Sequence, residues 1–427
     1  MKRRGPTWIA VLGVQVVVAA AFATAYEVSS PLSKEVLREE WSLQDPFEPV
    51  PIPRTTPLRV EPLYDRPDLV SDEDLAAVLD QVQPRFEKER LSPNHVEHAL
   101  RTWGVGATFQ NPAVMSGAEM TAYLTDHARF SQAWSEETAP LVQERPTGIA
   151  INWGRIAGAS VHHDHWLASL TEAGAHLETP VYGPSRYESS LYDVVQESLR
   201  DFRLDERETE WTAMSFGLWI PPTRSWKGGD GRYMSFDLIA RRLMRGQKEL
   251  GVCSGTHRVY SLMLLVRLDD EFHILSETAR NEVWTYLESV RDAITHSQFE
   301  DGHWPTNWWA GAAALEDPRD DPLYKVVITT GHHLEWLAIA PTELHPPEEN
   351  IRKGMEWIIA TTKSQTLKEI RSRYTFFSHV GAALALWRNV RPADFWRDWE
   401  ATHPFDAERE AIRAAAEPAE VETESAH

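Results

Sequence analysis

The 427-residue sequence contains a single cysteine, Cys253. No intramolecular disulfide can form, and zinc modules built on several cysteines are excluded. Cations are scarce beside anions: 43 Lys and Arg face 64 Asp and Glu, for a formal charge of −21. A net anionic surface opposes nucleic-acid binding, which draws its affinity from clustered cations on phosphates, so no nucleic-acid partner is expected. Runs of alternating β-branched residues are also missing, which argues against a sheet-based fold. What is abundant is apolar and aromatic: 42% hydrophobic residues, including 18 Trp, 14 Phe and 11 Tyr. That composition excludes disorder of the whole chain and suffices for a large core.

The two ends differ from the body. Lys2, Arg3 and Arg4 precede an apolar run over residues 8–25. Cations ahead of an apolar segment give export topology, so residues 1–26 read as a signal anchor or a cleaved signal peptide. The expected location is the cytoplasmic membrane, crossed once by residues 8–25 with the body outside the cytoplasm; after cleavage it would be secreted or periplasmic. Residues 27–70 carry Pro46, Pro49, Pro51, Pro53, Pro57, Pro62 and Pro67, which suits an extended linker or a strap laid over the domain. Residues 404–427 are acidic and alanine-rich, and read as a disordered tail.

Residues 71–403 have helical spacing throughout, and twelve helices are predicted. Ser71-Asp72-Glu73-Asp74 and Ser92-Pro93-Asn94 are start signals, Gly104 a stop, and one long helix is expected from Gly117 to Trp134. Later spans include 160–173, 277–296, 331–340 and 374–389. Some segments are amphipathic, such as 235–245, whereas 260–266, 334–340 and 380–387 are apolar all round. A helix apolar on every side must be covered on every side, and an amphipathic one can do the covering. The expected fold is therefore all-α: an α/α toroid of about six helical hairpins with inner and outer rings, behind an N-terminal membrane segment. Histidines recur at the predicted starts of the apolar helices, at His257, His332-His333 and His379, and earlier at His95, His98 and His162-His163-Asp164-His165.

Gln298-Phe299-Glu300-Asp301-Gly302-His303-Trp304 resembles the Q-x(2–5)-G-x-W repeat of the terpenoid cyclase and protein prenyltransferase toroids. The resemblance covers residues 235 to 390 and implies a fold in which Gln closes an outer helix, Gly turns and Trp packs back between helices. Its chemistry does not carry over. Asp269-Asp270 and Asp320-Asp321 lack the D-x-D-D pattern of triterpene cyclases, and Gly251 stands where the D-x-C zinc site of prenyltransferases needs an acid.

Reactive side chains concentrate around residues 253–335. Cys253 and His257 offer a sulfur and an imidazole at a spacing one metal can bridge, and His332 can complete a zinc site. A thiolate nucleophile, or a buried cysteine among capping histidines, fits the same residues. For acid–base chemistry the expected catalytic groups are Asp301 and Glu335 across a cavity, with His303 and His333, and with Asp164 and Glu97 in reserve. Trp304, Trp308 and Trp336 are the expected substrate platforms, and Arg258 the group neutralising an acidic sugar. The expectation is an enzyme, a hydrolase or lyase, acting on a carbohydrate or lipid-linked substrate. The alternatives are a non-catalytic binding or scaffold domain and an isoprenoid cyclase or transferase.

Overall fold

Apolar residues spaced three and four apart become helices wherever a cap starts them. In the computed structural model, which describes residues 7–30, 33–34, 47–135, 137–245, 252–408 and 410, Ser71 caps Asp72–Gln81 by accepting from the Asp74 amide. A Ser116–Glu119 capping box opens Gly117–Thr125. The chain is predominantly helical, at 56%. Among the described residues there are fourteen helices of eight residues or more: α1 Thr7–Val28, α2 Asp72–Gln81, α3 Pro93–Trp103, α4 Gly117–Thr125, α5 His165–Glu172, α6 Leu191–Asp201, α7 Glu210–Trp219, α8 Phe236–Arg245, α9 Thr256–Phe272, α10 Glu277–Ser297, α11 Leu323–Ile339, α12 Glu348–Ser364, α13 Tyr374–Trp387 and α14 Pro392–Thr402.

Burial sorts them into two kinds. In α7 every residue is buried, and α11 is buried without a break from Val327 to Ile339. By contrast α10 buries a single stripe, Ala279, Val283, Leu287, Val290 and Ile294, at the spacing of one helical face. The enclosed helices are α3, α5, α7, α9, α11 and α13. Each packs on the next, and α13 packs back on α3. Amphipathic α2, α8, α10 and α12 lie against them from outside.

The proline-rich segment works as a strap. Val50 is buried, and its amide and carbonyl pair with the Gln196 side chain at 2.8 Å each. Beyond it the strap crosses the C-terminal ends of the enclosed helices in their own order. The Leu58 amide donates to the Leu218 carbonyl of α7, that of Leu63 to Ala338 of α11, and that of Arg66 to Trp387 of α13. Proline removes donors and holds the backbone extended, so the remaining amides are free to cap carbonyls that a helix end leaves unpaired.

Several expectations need correction. The span Gly117–Trp134 breaks at Asp126, whose backbone is extended and whose side chain caps a short turn, His127–Phe130, by accepting from the Ala128 amide. The span 160–173 is helical from His165 onward, after Asp164 in a left-handed conformation (φ 56°). The helix expected at 331–340 starts at Leu323, so His332 and His333 sit in its middle. Two short antiparallel hairpins occur, β1 Val142–Arg145 with β2 Gly148–Ile151 and β3 Ser225–Lys227 with β4 Tyr233–Ser235. The glycine-rich stretch 228–231 lies in the turn of the second. The apolar run expected to cross a membrane is helical in α1, yet among the described residues no helix is long and apolar enough to do so. Lys2, Arg3, Arg4 and the tail beyond residue 410 lie outside the described residues. The part of the tail that is described packs on the body, with the Phe405 amide donating to the Gln110 side chain.

Candidate metal centre

Each enclosed helix turns one ring toward the common centre. His98 of α3 lies 4.6 Å from His165 of α5 between ring centroids, and His165 lies 4.3 Å from Trp211 of α7. Trp211 is 4.2 Å from His257 of α9, His257 is 4.1 Å from His332 of α11, and His332 is 4.1 Å from His379 of α13. A contact of 5.2 Å between His379 and His98 closes the circuit. Five histidines and one tryptophan thus form a buried layer with one member from each helix.

Within this layer, polar atoms lack partners. His257 is fully buried and neither ring nitrogen makes a hydrogen bond. The Nε2 atoms of His165, His332 and His379 are likewise buried and unpaired. An unpaired buried polar group costs about 1–3 kcal/mol, so five such nitrogens in one layer are costly without a ligand. Cys253 supplies the neighbouring sulfur. It stands in a left-handed turn (φ 47°) that continues through Ser254 (φ 61°) and Gly255 (φ 81°) into α9. Donor atoms of Cys253, His257 and His332 all lie within 4.8 Å of one another, as do those of His332, Glu335 and His379.

Glu335 orients two of the rings. It follows His332 by three residues on one helical face and accepts a short hydrogen bond from His332 Nδ1. That proton fixes the tautomer and leaves Nε2 with a lone pair. His379 Nδ1 has two neighbours, Glu335 Oε1 at 3.2 Å and Arg101 Nη1 at 2.9 Å. These contacts are alternatives. With Nδ1 protonated it donates to Glu335 and Nε2 is a ligand atom; with Nδ1 bare it accepts from Arg101.

The electrostatics suit a cation. Burial, reinforced by His332 and His379, pushes His257 well below the usual histidine range, and burial takes His379 and His333 down to about 3. These imidazoles are neutral and can coordinate. Burial opposes ionisation of Glu335, but His379, Arg101 and His332 outweigh it and hold the carboxyl well below its ordinary value. Burial, aided by Glu335, pushes the Cys253 thiol up. An unassisted thiolate nucleophile is therefore disfavoured, whereas a bound metal deprotonates a coordinating thiol outright.

On the other side of Glu335 lies a cavity of about 530 Å³. Every enclosed helix contributes to its wall: Arg101, Glu172, Leu218, Leu264, Glu335 and Ala385, in helix order. Its floor is polar and internally paired. Arg101 Nε donates to Glu172, Tyr260 donates to Glu172 at 3.0 Å, and the Arg101 guanidinium lies 5.6 Å from the Tyr260 ring centroid.

Cys253, His257 and His332 are brought together, and Glu335 joins them. The other expected groups stand elsewhere. Asp301 is 54% exposed on its turn and holds the His303 ring at 2.6 Å, and neither residue lines the cavity, so Asp301 does not oppose Glu335 across open space. His333 lies in a tryptophan cage, accepting from Trp336 Nε1 at 3.2 Å and packing against Trp304 and Trp308. Those three tryptophans are fully buried and do not line the cavity. Arg258 is buried against Glu210 at 2.8 Å. Of the reserves, Glu97 accepts from His165 at 2.5 Å, and Asp164 accepts from Ser198 and Thr212. Sequence reasoning missed Arg101, Glu172 and Tyr260, whose helices carry no signal beyond their enclosure. It noticed His379 at a helix start without giving it a role.

No protein family, curated protein or solved structure matches this chain.

Proposed function

We propose that the protein is an α/α toroid that holds a zinc-class divalent metal ion at its centre through Cys253, His257 and His332. The observation that carries this reading is His257, fully buried with two unpaired ring nitrogens, beside a thiol and a second imidazole with donor atoms within 4.8 Å. Mixed thiolate and imidazole donors favour zinc among the common divalent ions. Three protein ligands leave one tetrahedral position, which in zinc enzymes serves to activate water or polarise a substrate. The toroid reading is supported by the cyclic packing of the six enclosed helices and by the amphipathic helices outside them. Metal content of the purified chain, with Cys253→Ala and His257→Ala beside it, tests the proposal.

The cavity is the substrate site in this reading. Of the two substrate classes expected from the sequence, a lipid-linked molecule fits better than a carbohydrate. The walls include aliphatic Leu218, Leu264 and Leu386, while Trp304, Trp308 and Trp336, expected to stack a sugar, lie elsewhere and Trp103, which borders the cavity, is buried in the core. A membrane partner is part of the proposal. Val14, Val16, Val17 and Val18 on α1 are each more than 60% exposed, an apolar surface that water does not favour. Deleting residues 1–28 is expected to move the protein from the membrane fraction to the supernatant; an unchanged distribution would remove α1 from that role.

A further inference from the structure

The floor and the mouth of the cavity differ in what they leave unsatisfied. At the floor, Arg101, Glu172 and Tyr260 satisfy one another. At the mouth three guanidinium groups line the same opening: Arg59 from the strap, Arg391 ahead of α14, and Arg397, which is paired with Asp394 at 2.8 Å. Arg59 reaches Glu61 at 3.4 Å, an exposed contact. The Arg391 side chain has no hydrogen-bond or ion-pair partner among the described residues. Burial lowers Arg59 and the like charge of Arg391 adds to the effect, against the opposing pull of Glu61, Tyr260 and Asp394. With Arg397 held by Asp394, Arg59 and Arg391 are the cations this rim offers an anion, on a chain whose net charge is −21.

Between rim and floor the wall carries an aliphatic stretch, Leu58, Leu264, Ala382 and Leu386, with Thr108 and Thr171 also lining the cavity. A volume of about 530 Å³ lies within the range that encloses a small organic ligand. The charged groups at the floor are already paired with one another, which leaves the aliphatic stretch to hold an apolar chain.

We propose that the cavity binds an amphipathic anion, an aliphatic carboxylate, with its carboxylate between Arg59 and Arg391 and its alkyl chain on Leu264, Ala382 and Leu386. The proposal rests on the cavity being the substrate site and not on the metal. Guanidinium suits a carboxylate because its planar donors match two oxygens at once. The alkyl chain gains from leaving water along the aliphatic wall.

Calorimetric titration of the full-length chain with sodium octanoate tests this, with octan-1-ol and propanoate as the uncharged and short probes. Saturable binding of one octanoate per chain is expected. Arg391→Ala should weaken it at least about tenfold, and Ala382→Phe, which fills the wall, should abolish it. Octan-1-ol should bind at least about tenfold more weakly than octanoate, and propanoate should not bind. Both variants should keep the wild-type metal content, so a failed metal centre and a failed ligand site are told apart. No saturable octanoate binding, equal binding of octan-1-ol, or affinity unchanged by Arg391→Ala would each overturn the proposal. Arg391 is exposed, so this last arm stands even if Ala382→Phe does not fold.

Discussion

Glu335 is the residue on which most of the centre depends. Its carboxylate fixes the His332 tautomer, reaches His379, and forms part of the wall between the histidine layer and the cavity. An orienting carboxylate raises the basicity of the imidazole it holds, and removing one costs about 10–100-fold in metal affinity. Glu335→Gln is therefore expected to weaken metal binding by about that factor in a chelator competition titration, with the helical circular dichroism retained. Unchanged affinity would show that Glu335 does not orient the ligands. The sequence already carries this relation, because a three-residue spacing on a helix puts His332 and Glu335 on one face. The convergence of His257 and His332, which are 75 positions apart, follows from no local spacing and is expected only once the apolar helices are taken to pack around one centre.

A second residue sets a pH dependence away from the proposed ligands. Burial opposes charging of His163, but Asp164 and Glu206, the latter 3.1 Å away, outweigh it and raise the ring to about 10. The folded value is above the ordinary 6.5, so the stabilisation is fully present below about 6.5 and is lost as pH rises toward about 10. Wild type should lose thermal stability across that window, whereas His163→Gln should show a flatter profile. Parallel profiles would contradict the pairing.

At the scale of elements, the Gln298–Trp304 turn shows why a short motif can be legible. Gln298 follows the last residue of α10, its Nε2 donating to Gly302 and Asn350 carbonyls at 2.7 Å each. Gly302 turns at φ 110°, and Trp304 packs back with Nε1 on the Ile294 carbonyl at 2.8 Å. A β-carbon on Gly302 would lie 2.3 Å from the Lys353 carbonyl oxygen, so neither the backbone angle nor the space admits a side chain. Gly302→Ala should destabilise by about 1–3 kcal/mol in denaturant unfolding; a loss under about 0.5 kcal/mol would contradict the close approach. Caps and apolar stripes made most helices readable. The missed portions were the start of α11, which has no capping side chain after Pro322, the break at Asp126, which the apolar pattern runs straight through, and α14, which falls beyond the last expected helix.

At the scale of the molecule, enclosure joins the fold to the site. Six helices buried on all sides must carry their polar side chains inward, and these form two layers: rings with unpaired nitrogens, then a self-paired floor of Arg101, Glu172 and Tyr260 facing the cavity. The strap crosses the helix ends at the cavity mouth, where it adds Arg59. Apolar helices and a turn motif announce such an architecture in the sequence. The tryptophans mislead, because an aromatic that fills a core and one that lines a cavity look alike before packing is known.

Metal stoichiometry of the purified full-length protein, measured by elemental mass spectrometry, tests the central claim most directly. One zinc-class ion per chain is expected in the wild type, and its loss in both Cys253→Ala and His257→Ala. Metal-free wild-type protein that takes up no added zinc, or variants that keep a full complement, would contradict it.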